Sequence, residues 1–306
     1  MRVAVVGAGG VGGYYGGLLA AAGHQVTFVA RGEHLDALRR QGGLRLRAVH
    51  GEVFAPAAAT DRPVELADLV LFTVKSYDTR TAAELMRPAV GPQTAVLSLQ
   101  NGVDNEEVLA RLYGADRVLG GVVYILATIA APGLVEQTGG PRTLTLGEWQ
   151  GGASERVARF ARAMNAAGIA AAVSEGIVRE KWVKFAYICA QAGMTALTRL
   201  PIGEIRAHPP TWAMFRQILE EVVAVGRARG VPLDEAVVEQ HLALAQRVEA
   251  HVTSSLYYDL THGKRLEVEA LHGTVVRYGE AAGVPTPACR AVYAALAPHA
   301  RTASTA

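Results

Sequence analysis

Residues 1–31 constrain this chain more than any other stretch. The apolar run Val3 to Val6 has the composition of a buried strand. It leads straight into Gly7-Ala8-Gly9-Gly10-Val11-Gly12, a match to G-x-G-x-x-G. A helix of small residues is predicted from about Val11 to Ala22, and a second strand from Gln25 to Ala30. Strand, glycine turn, helix and strand in this order are the context in which the glycine pattern signifies a dinucleotide site. Gly7 permits the tight turn, Gly9 lets backbone N–H groups approach a pyrophosphate, and Gly12 lets the helix pack close to the strand. The diphosphate is expected along Gly7, Ala8, Gly9, Gly10, Val11 and Gly12, at the positive end of the helix dipole.

The end of the second strand distinguishes the two nicotinamide dinucleotides. An NAD site usually has an acidic side chain there, bonded to the ribose hydroxyls. This chain reads Phe28-Val29-Ala30-Arg31-Gly32, with no acid before Glu33. A guanidinium makes paired, charge-assisted bonds to phosphate oxygens. Arg31 therefore favours NADP(H), against the plainer reading of a solvated loop arginine.

The length, 306 residues, allows one large or two medium domains. Half the residues are hydrophobic and the mean hydropathy is +0.18, enough for a sizeable core. A formal net charge of +2 gives no electrostatic case for nucleic acid. Cys189 and Cys289 offer neither zinc spacing nor a disulfide framework, so no metal is expected and a reducing cytoplasm is the simpler setting. The N-terminus lacks the charged leader of a signal peptide, and no run approaches the roughly 20 apolar residues of a membrane span. The tail Thr302 to Ala306 is expected to fray.

The two halves differ in grammar. Up to about Ala172, strands alternate with helices: Leu69 to Val74, Thr94 to Leu99, Val118 to Leu126 and Gly133 to Gly147 carry strand signals, and Arg156 to Ala167 is helical in pattern. This predicts an α/β fold, a doubly wound Rossmann-type domain over 1–172, whose ligands lie beyond the carboxyl ends of the strands. From Ser174 onward strand signals vanish. A long helical pattern runs to Thr198, Pro209-Pro210 breaks the chain, and Thr211 is placed to cap the next helix, which ends near Gly230. Leu233-Asp234 opens another helix, and His251 to Leu260 and Arg265 to Ala282 read as two more. Residues 173–306 are thus expected to form an all-helical domain, abutting the first with a cleft between them.

Further candidates lie beyond the glycine turn. Lys75 and Asn101 each end a strand, where cofactor or substrate hydroxyls are expected, though both also suit plain turns. Lys184 opens a nearly uncharged helical run. There it is either a tuned proton donor or a lysine snorkelling to solvent. Glu267 reads on pattern alone as a solvated face. Ser254-Ser255 precede a helix, as a cap or an anion contact.

The segments GAGGVGGYYGGLLAAAGHQVTFVARG, TVKSYDT, SLQNGVDNEE, EKWVKF with TALTRLPIGE, SSLYYDLTHGKRLEVEALHG and GVPTP run in order over almost the whole length. In them the chain resembles the ketopantoate reductase (2-dehydropantoate 2-reductase) family, in which NADPH reduces ketopantoate to D-pantoate on the way to coenzyme A. The resemblance implies that Gly7, Gly9, Gly12, Arg31 and Lys75 hold NADPH and that Asn101 lies between nicotinamide ribose and substrate. It also implies Lys184 as the catalytic lysine, Glu267 as anchor of the substrate hydroxyl and of Lys184, and Ser255 as a ligand of the substrate carboxylate. The partner implied is a small keto acid. The oligomeric state stays open, a homodimer included.

Departures from the family pattern bear on substrate. Ile188, Ala192 and Val252 stand where many members have asparagine, and T-E-I-D reads Leu266-Glu267-Val268-Glu269. Apolar replacements weaken the grip on a polar substrate, so a more apolar keto acid or ketone is the alternative. Two other readings are a dehydrogenase of another 2-keto or 3-hydroxy acid and a non-catalytic NADP(H) sensor. Retention of Lys184 and Glu267 argues against the sensor.

Overall fold

The computed structural model describes residues 1–49 and 51–300; the tail Thr302 to Ala306 lies outside them. The chain forms two units. One takes in Met1–Gln100 and Asn105–Ile177, the other Asn101–Asp104 and the chain from Val178 onward.

The first unit is built on one sheet. Its elements are β1 (Arg2–Val6), α1 (Gly10–Ala21), β2 (Gln25–Val29), α2 (Gly32–Gln41), β3 (Gly43–Ala48), β4 (Gly51–Pro56), β5 (Ala58–Thr60), β6 (Leu69–Phe72), α3 (Thr79–Leu85), β7 (Ala95–Ser98), α4 (Asn105–Tyr113), β8 (Val118–Ala131), β9 (Leu134–Glu148), α5 (Glu155–Ala166) and β10 (Ala170–Val173). The strand order is β4-β3-β9-β8-β7-β6-β1-β2-β5, with β10 beside β9. From β5 through β2, β1, β6 and β7 to β8 every neighbour is parallel. Strands buried on both faces read as unbroken apolar runs, which is why Val3–Val6 and Leu69–Phe72 are buried at every position. On one face Tyr15 and Leu19 of α1 share a core with Val3, Val5, Leu44, Leu46 and Val135. On the other, Val6, Val70, Phe72 and Val96 pack with Ala83, Met86, Leu109 and Tyr113. Helices on both faces make this the doubly wound arrangement expected.

The hairpin β3–β4 was not anticipated, although its first strand alternates: Leu44 and Leu46 are buried and Arg45 and Arg47 exposed. It pairs antiparallel within itself and parallel to β9. The sheet unit also runs past Ala172. Ser174 N bonds Leu146 O (2.9 Å), and a Cβ on Gly147 would meet Ile177 Cβ at 2.9 Å, so residues 173–177 pack with the sheet and belong to its unit.

The second unit is helical, as expected: α6 (Ile177–Thr198), α7 (Ile202–Ala207), α8 (Pro209–Ala228), α9 (Ala236–Arg247), α10 (Ser255–Thr261), a π-turn (Glu269–Gly273), α11 (Thr274–Ala282) and α12 (Pro287–Leu296). Trp182, Phe185, Phe215, Ile218, Val222, Val275 and Val292 lie in its core. Two local expectations change. Thr211 does not cap α8, which starts at Pro209, where the missing N–H of proline does no harm. Its hydroxyl instead contacts Ile205 O (2.6 Å) and His208 O (2.8 Å). The segment expected as one helix from Arg265 begins only at the π-turn.

Candidate active site

The glycine turn owes its shape to β6 and its neighbours. Gly7 adopts φ +101°, and a Cβ there would stand 2.8 Å from Val74 N. A Cβ on Gly12 would lie 2.0 Å from Gly7 O and 2.3 Å from Thr73 Oγ1. Thr73 donates to Gly7 O (2.6 Å), with Val6 O at 3.1 Å, and so ties the turn to β6. Gly10 has a different reason to be glycine than the cofactor contact expected of it. Its Cβ position is taken by Ala127 O of β8, at 2.0 Å. At Gly9 a Cβ would meet no protein atom within 4 Å. The N-terminus of α1 has no side-chain cap and no acidic residue in its first turn. The first N–H groups of a helix lack partners within it and attract anions. Open space over Gly9 and an uncapped, acid-free helix start fit a dinucleotide diphosphate.

Arg31 precedes α2 as its N-cap residue and is exposed. Its Nη2 donates to Asp78 Oδ2 at 2.5 Å, a partner the sequence reading had not singled out. Asp78 closes the short turn Ser76–Asp78, whose N-cap residue is Lys75, and Asp78 N bonds Lys75 O (2.9 Å). Lys75 is half-buried at the C-terminal end of β6, so Arg31 and Lys75 are gathered around one turn.

Asn101 and Lys184 are brought together. After β7 the chain makes a four-residue excursion, Asn101–Asp104, that belongs to the helical unit. Gly102 turns it with φ +99°, and Val103, 2% exposed, is part of the helical core. Its two ends are held by one threonine: Gln100 Nε2 donates to Thr79 Oγ1 (2.7 Å), and Thr79 Oγ1 donates to Asn105 Oδ1 (3.0 Å). Neither Gln100 nor Thr79 was a candidate from sequence. Within the helical unit Lys184 Nζ donates to Asn101 Oδ1 at 3.1 Å. Burial, reinforced by the Lys181 ammonium, pulls the Lys184 pKa down to about 7. The snorkelling alternative would leave this lysine at its ordinary value.

Glu267 is half-buried two residues before the π-turn, where its carbonyl accepts from Ala270 N (3.1 Å) and Leu271 N (3.2 Å). Of the two serines, Ser254 is the cap: its Oγ accepts from Tyr257 N (3.0 Å) and lies 2.7 Å from Thr195 Oγ1 of α6. Ser255 is exposed in the first turn of α10. Ala192 is 2% exposed, inside the core, whereas Ile188 and Val252 are partly buried and pack against it.

Among the described residues no helix is long and apolar enough to cross a membrane, and no group of three metal-ligating side chains occurs.

Comparison with known proteins agrees along the whole chain. The family profile described as ketopantoate reductase PanE/ApbA matches residues 3–151, and that of its C-terminal part matches residues 176–300. The chain is 38% identical to a PanE/ApbA family ketopantoate reductase from Ralstonia eutropha JMP134, whose crystal structure superposes with a TM-score of 0.90 over 98% of each chain. The 2-dehydropantoate 2-reductase of Halobacterium salinarum is 37% identical over 297 residues, 95% of this chain and 96% of its own. A D-mandelate dehydrogenase solved with NADH and anilino(oxo)acetate superposes with a TM-score of 0.87 over 98% of each chain, and at 21% identity shows the fold alone. The chain therefore belongs to the ketopantoate reductase family: it is an NADP-dependent oxidoreductase acting on CH–OH groups, with NADPH as its cofactor.

Proposed function

We propose that the protein reduces the ketone of a 2-keto acid to the 2-hydroxy acid, with 2-dehydropantoate to D-pantoate as the first candidate reaction. That reaction leads towards coenzyme A. The observation that carries this reading is the state of Lys184: half-buried, held by Asn101 at 3.1 Å, and with a pKa of about 7. A general acid works best when its pKa lies near the working pH. NADPH bound at the glycine turn supplies the hydride. Lys184 stabilises the negative charge that develops on the ketone oxygen and gives that oxygen its proton. Asn101 orients the ammonium and, through its amide, a hydroxyl of cofactor or substrate. Glu267 accepts a hydrogen bond from the substrate hydroxyl, and Ser255 meets the carboxylate. Arg31 and Lys75 hold the cofactor phosphates. Both cysteines are free and buried, which fits work in a reducing cytoplasm.

A second reading concerns substrate. Ile188, Ala192 and Val252 offer no amide, which favours a more apolar 2-keto acid. One experiment decides between them: purified protein, NADPH and a panel of 2-keto acids, followed at the nicotinamide absorbance. A specificity constant for ketopantoate far above the rest supports the first reading. A larger, apolar keto acid on top supports the second. Tight NADPH binding with no turnover on any carbonyl would sink both.

A further inference from the structure

His272 has no role in the chemistry above, yet its surroundings are specific. The side chain is completely buried in the π-turn. Nε2 lies 3.0 Å from the main-chain oxygen of Cys189 in α6. A carbonyl only accepts, so Nε2 carries the hydrogen. Nδ1 is buried with no hydrogen-bond partner, and burial pulls the ring's pKa down to about 4, which keeps it neutral. An apolar side chain of similar volume would leave no orphaned nitrogen. What the imidazole adds is one directional bond to α6.

The partner helix is shaped to receive it. A Cβ on Gly193 would meet Nε2 at 2.5 Å, so the ring reaches the α6 backbone only because that residue is glycine. In an α-helix the Cys189 carbonyl already has the N–H of Gly193 as its partner, so the imidazole is not needed to satisfy it. Cys189 follows Lys184 by about 7.5 Å along the helix axis at 1.5 Å per residue. The carbonyl of Glu267 takes the N–H groups of Ala270 and Leu271, which ties that residue to the π-turn two positions on. The turn closes with Gly273 N on Val268 O at 2.9 Å. Just beyond, Thr274 Oγ1 donates to Asp104 Oδ2 (2.9 Å), at the end of the excursion that carries Asn101. Wide turns of this kind inside helices often accompany functional sites.

We propose that His272 is a positioning residue: its Nε2–H bond to Cys189 O sets the register of the π-turn, and of Glu267 bonded to its first residues, against the helix bearing Lys184. The inference rests on the roles proposed above for those two residues.

The test compares His272→Leu, His272→Gln, Gly193→Ala and Lys184→Ala in steady-state kinetics, using the 2-keto acid with the highest specificity constant in the screen. His272→Leu keeps the packing and removes the donor. It should fold and lose kcat by about tenfold to a hundredfold, the scale on which small misplacements act, with KM for NADPH unchanged. His272→Gln, whose amide nitrogen reaches the same place, should recover most of the rate. Gly193→Ala displaces the ring from the other side and should lower kcat with His272 present. Full kcat in His272→Leu, or equal losses in the Leu and Gln variants, overturns the proposal. If His272→Leu does not fold, Gly193→Ala decides, and undiminished kcat there overturns it. Full turnover in Lys184→Ala breaks the functional reading itself. An inactive Lys184→Ala beside a fully active His272→Leu breaks only this inference.

Discussion

Lys184 Nζ donates to Asn101 Oδ1 across 3.1 Å, although 83 positions separate the two residues in the chain. The bond joins a lysine whose pKa falls to about 7 to a side chain delivered by the excursion that follows β7. It orients the ammonium while burial weakens its hold on the proton. The two effects together suit the proton-donor role proposed for Lys184 at neutral pH.

Removing the donor is the most direct check. Lys184→Ala should cut turnover by about 10²–10⁴-fold, the usual range for general acid–base groups, while NADPH affinity is kept. Turnover and fluorescence titration of the cofactor separate the two. A near-normal rate assigns proton donation to another group.

The pH dependence follows from the same group. In the proposed reaction Lys184 must be protonated, so kcat/KM for the keto acid should fall as pH rises through about 7, and the reverse oxidation should rise. Asn101→Leu removes an acceptor that favours the charged form, so the falling limb should move to lower pH. A limb left in place would mean that Asn101 does not hold the titrating group.

Stability carries the opposite signature. The folded pKa of about 7 lies below the ordinary 10.5, so between these values the unfolded chain binds more protons and stability rises with pH. Below pH 7 the buried ammonium is at its most costly. Lys184→Met keeps the volume without the charge. It should stabilise the protein by roughly 1–4 kcal/mol near pH 6, at about 1.4 kcal/mol per pKa unit, and much less near pH 10. Thermal melts at the two pH values make the comparison, and an equal gain at both would contradict it.

On the proposed role of Arg31, cofactor choice turns on its guanidinium. Arg31→Ala should lose roughly 1.5–3 kcal/mol on NADPH, the range for hydrogen bonds to charged groups, and little on NADH. The structure adds Asp78: the Arg31 side chain is 75% exposed, so its ion pair is weak and the guanidinium is available to a phosphate. Asp78→Asn removes a negative charge beside that phosphate and should lower KM for NADPH but not for NADH. Equal use of both cofactors by the unmutated protein would remove this reading of Arg31.

Substrate preference is best probed at Ile188. An amide there, one turn from Lys184 on the same face of α6, should raise kcat/KM for ketopantoate about tenfold, for a gain on the order of 1 kcal/mol. Ala192→Asn should act differently. Ala192 is 2% exposed, so a buried amide there should destabilise the fold by roughly 1–3 kcal/mol without improving binding. Kinetics and melts of both variants test the distinction. An unchanged ketopantoate constant in Ile188→Asn would show that the missing amide does not set specificity.

The doubly wound first half, the glycine turn and the helical second half are legible in the residues alone. These depend on short-range regularities: apolar runs, glycines that must turn or yield space, and the change from strand to helical periodicity. Resemblance to a family, carried by motifs in order, singled out Lys184 and Glu267, which pattern alone left ambiguous. The rest comes from the folded chain. The fold moved Asn101 into the helical unit beside Lys184 and paired Arg31 with Asp78. It gave Gly10 to the packing of β8, Ala192 to the core, and Gly193 to the approach of His272. Each of these joins residues far apart in the chain. Their contacts depend on the path of the backbone and on which atoms compete for one small space, and no local pattern in the sequence encodes that.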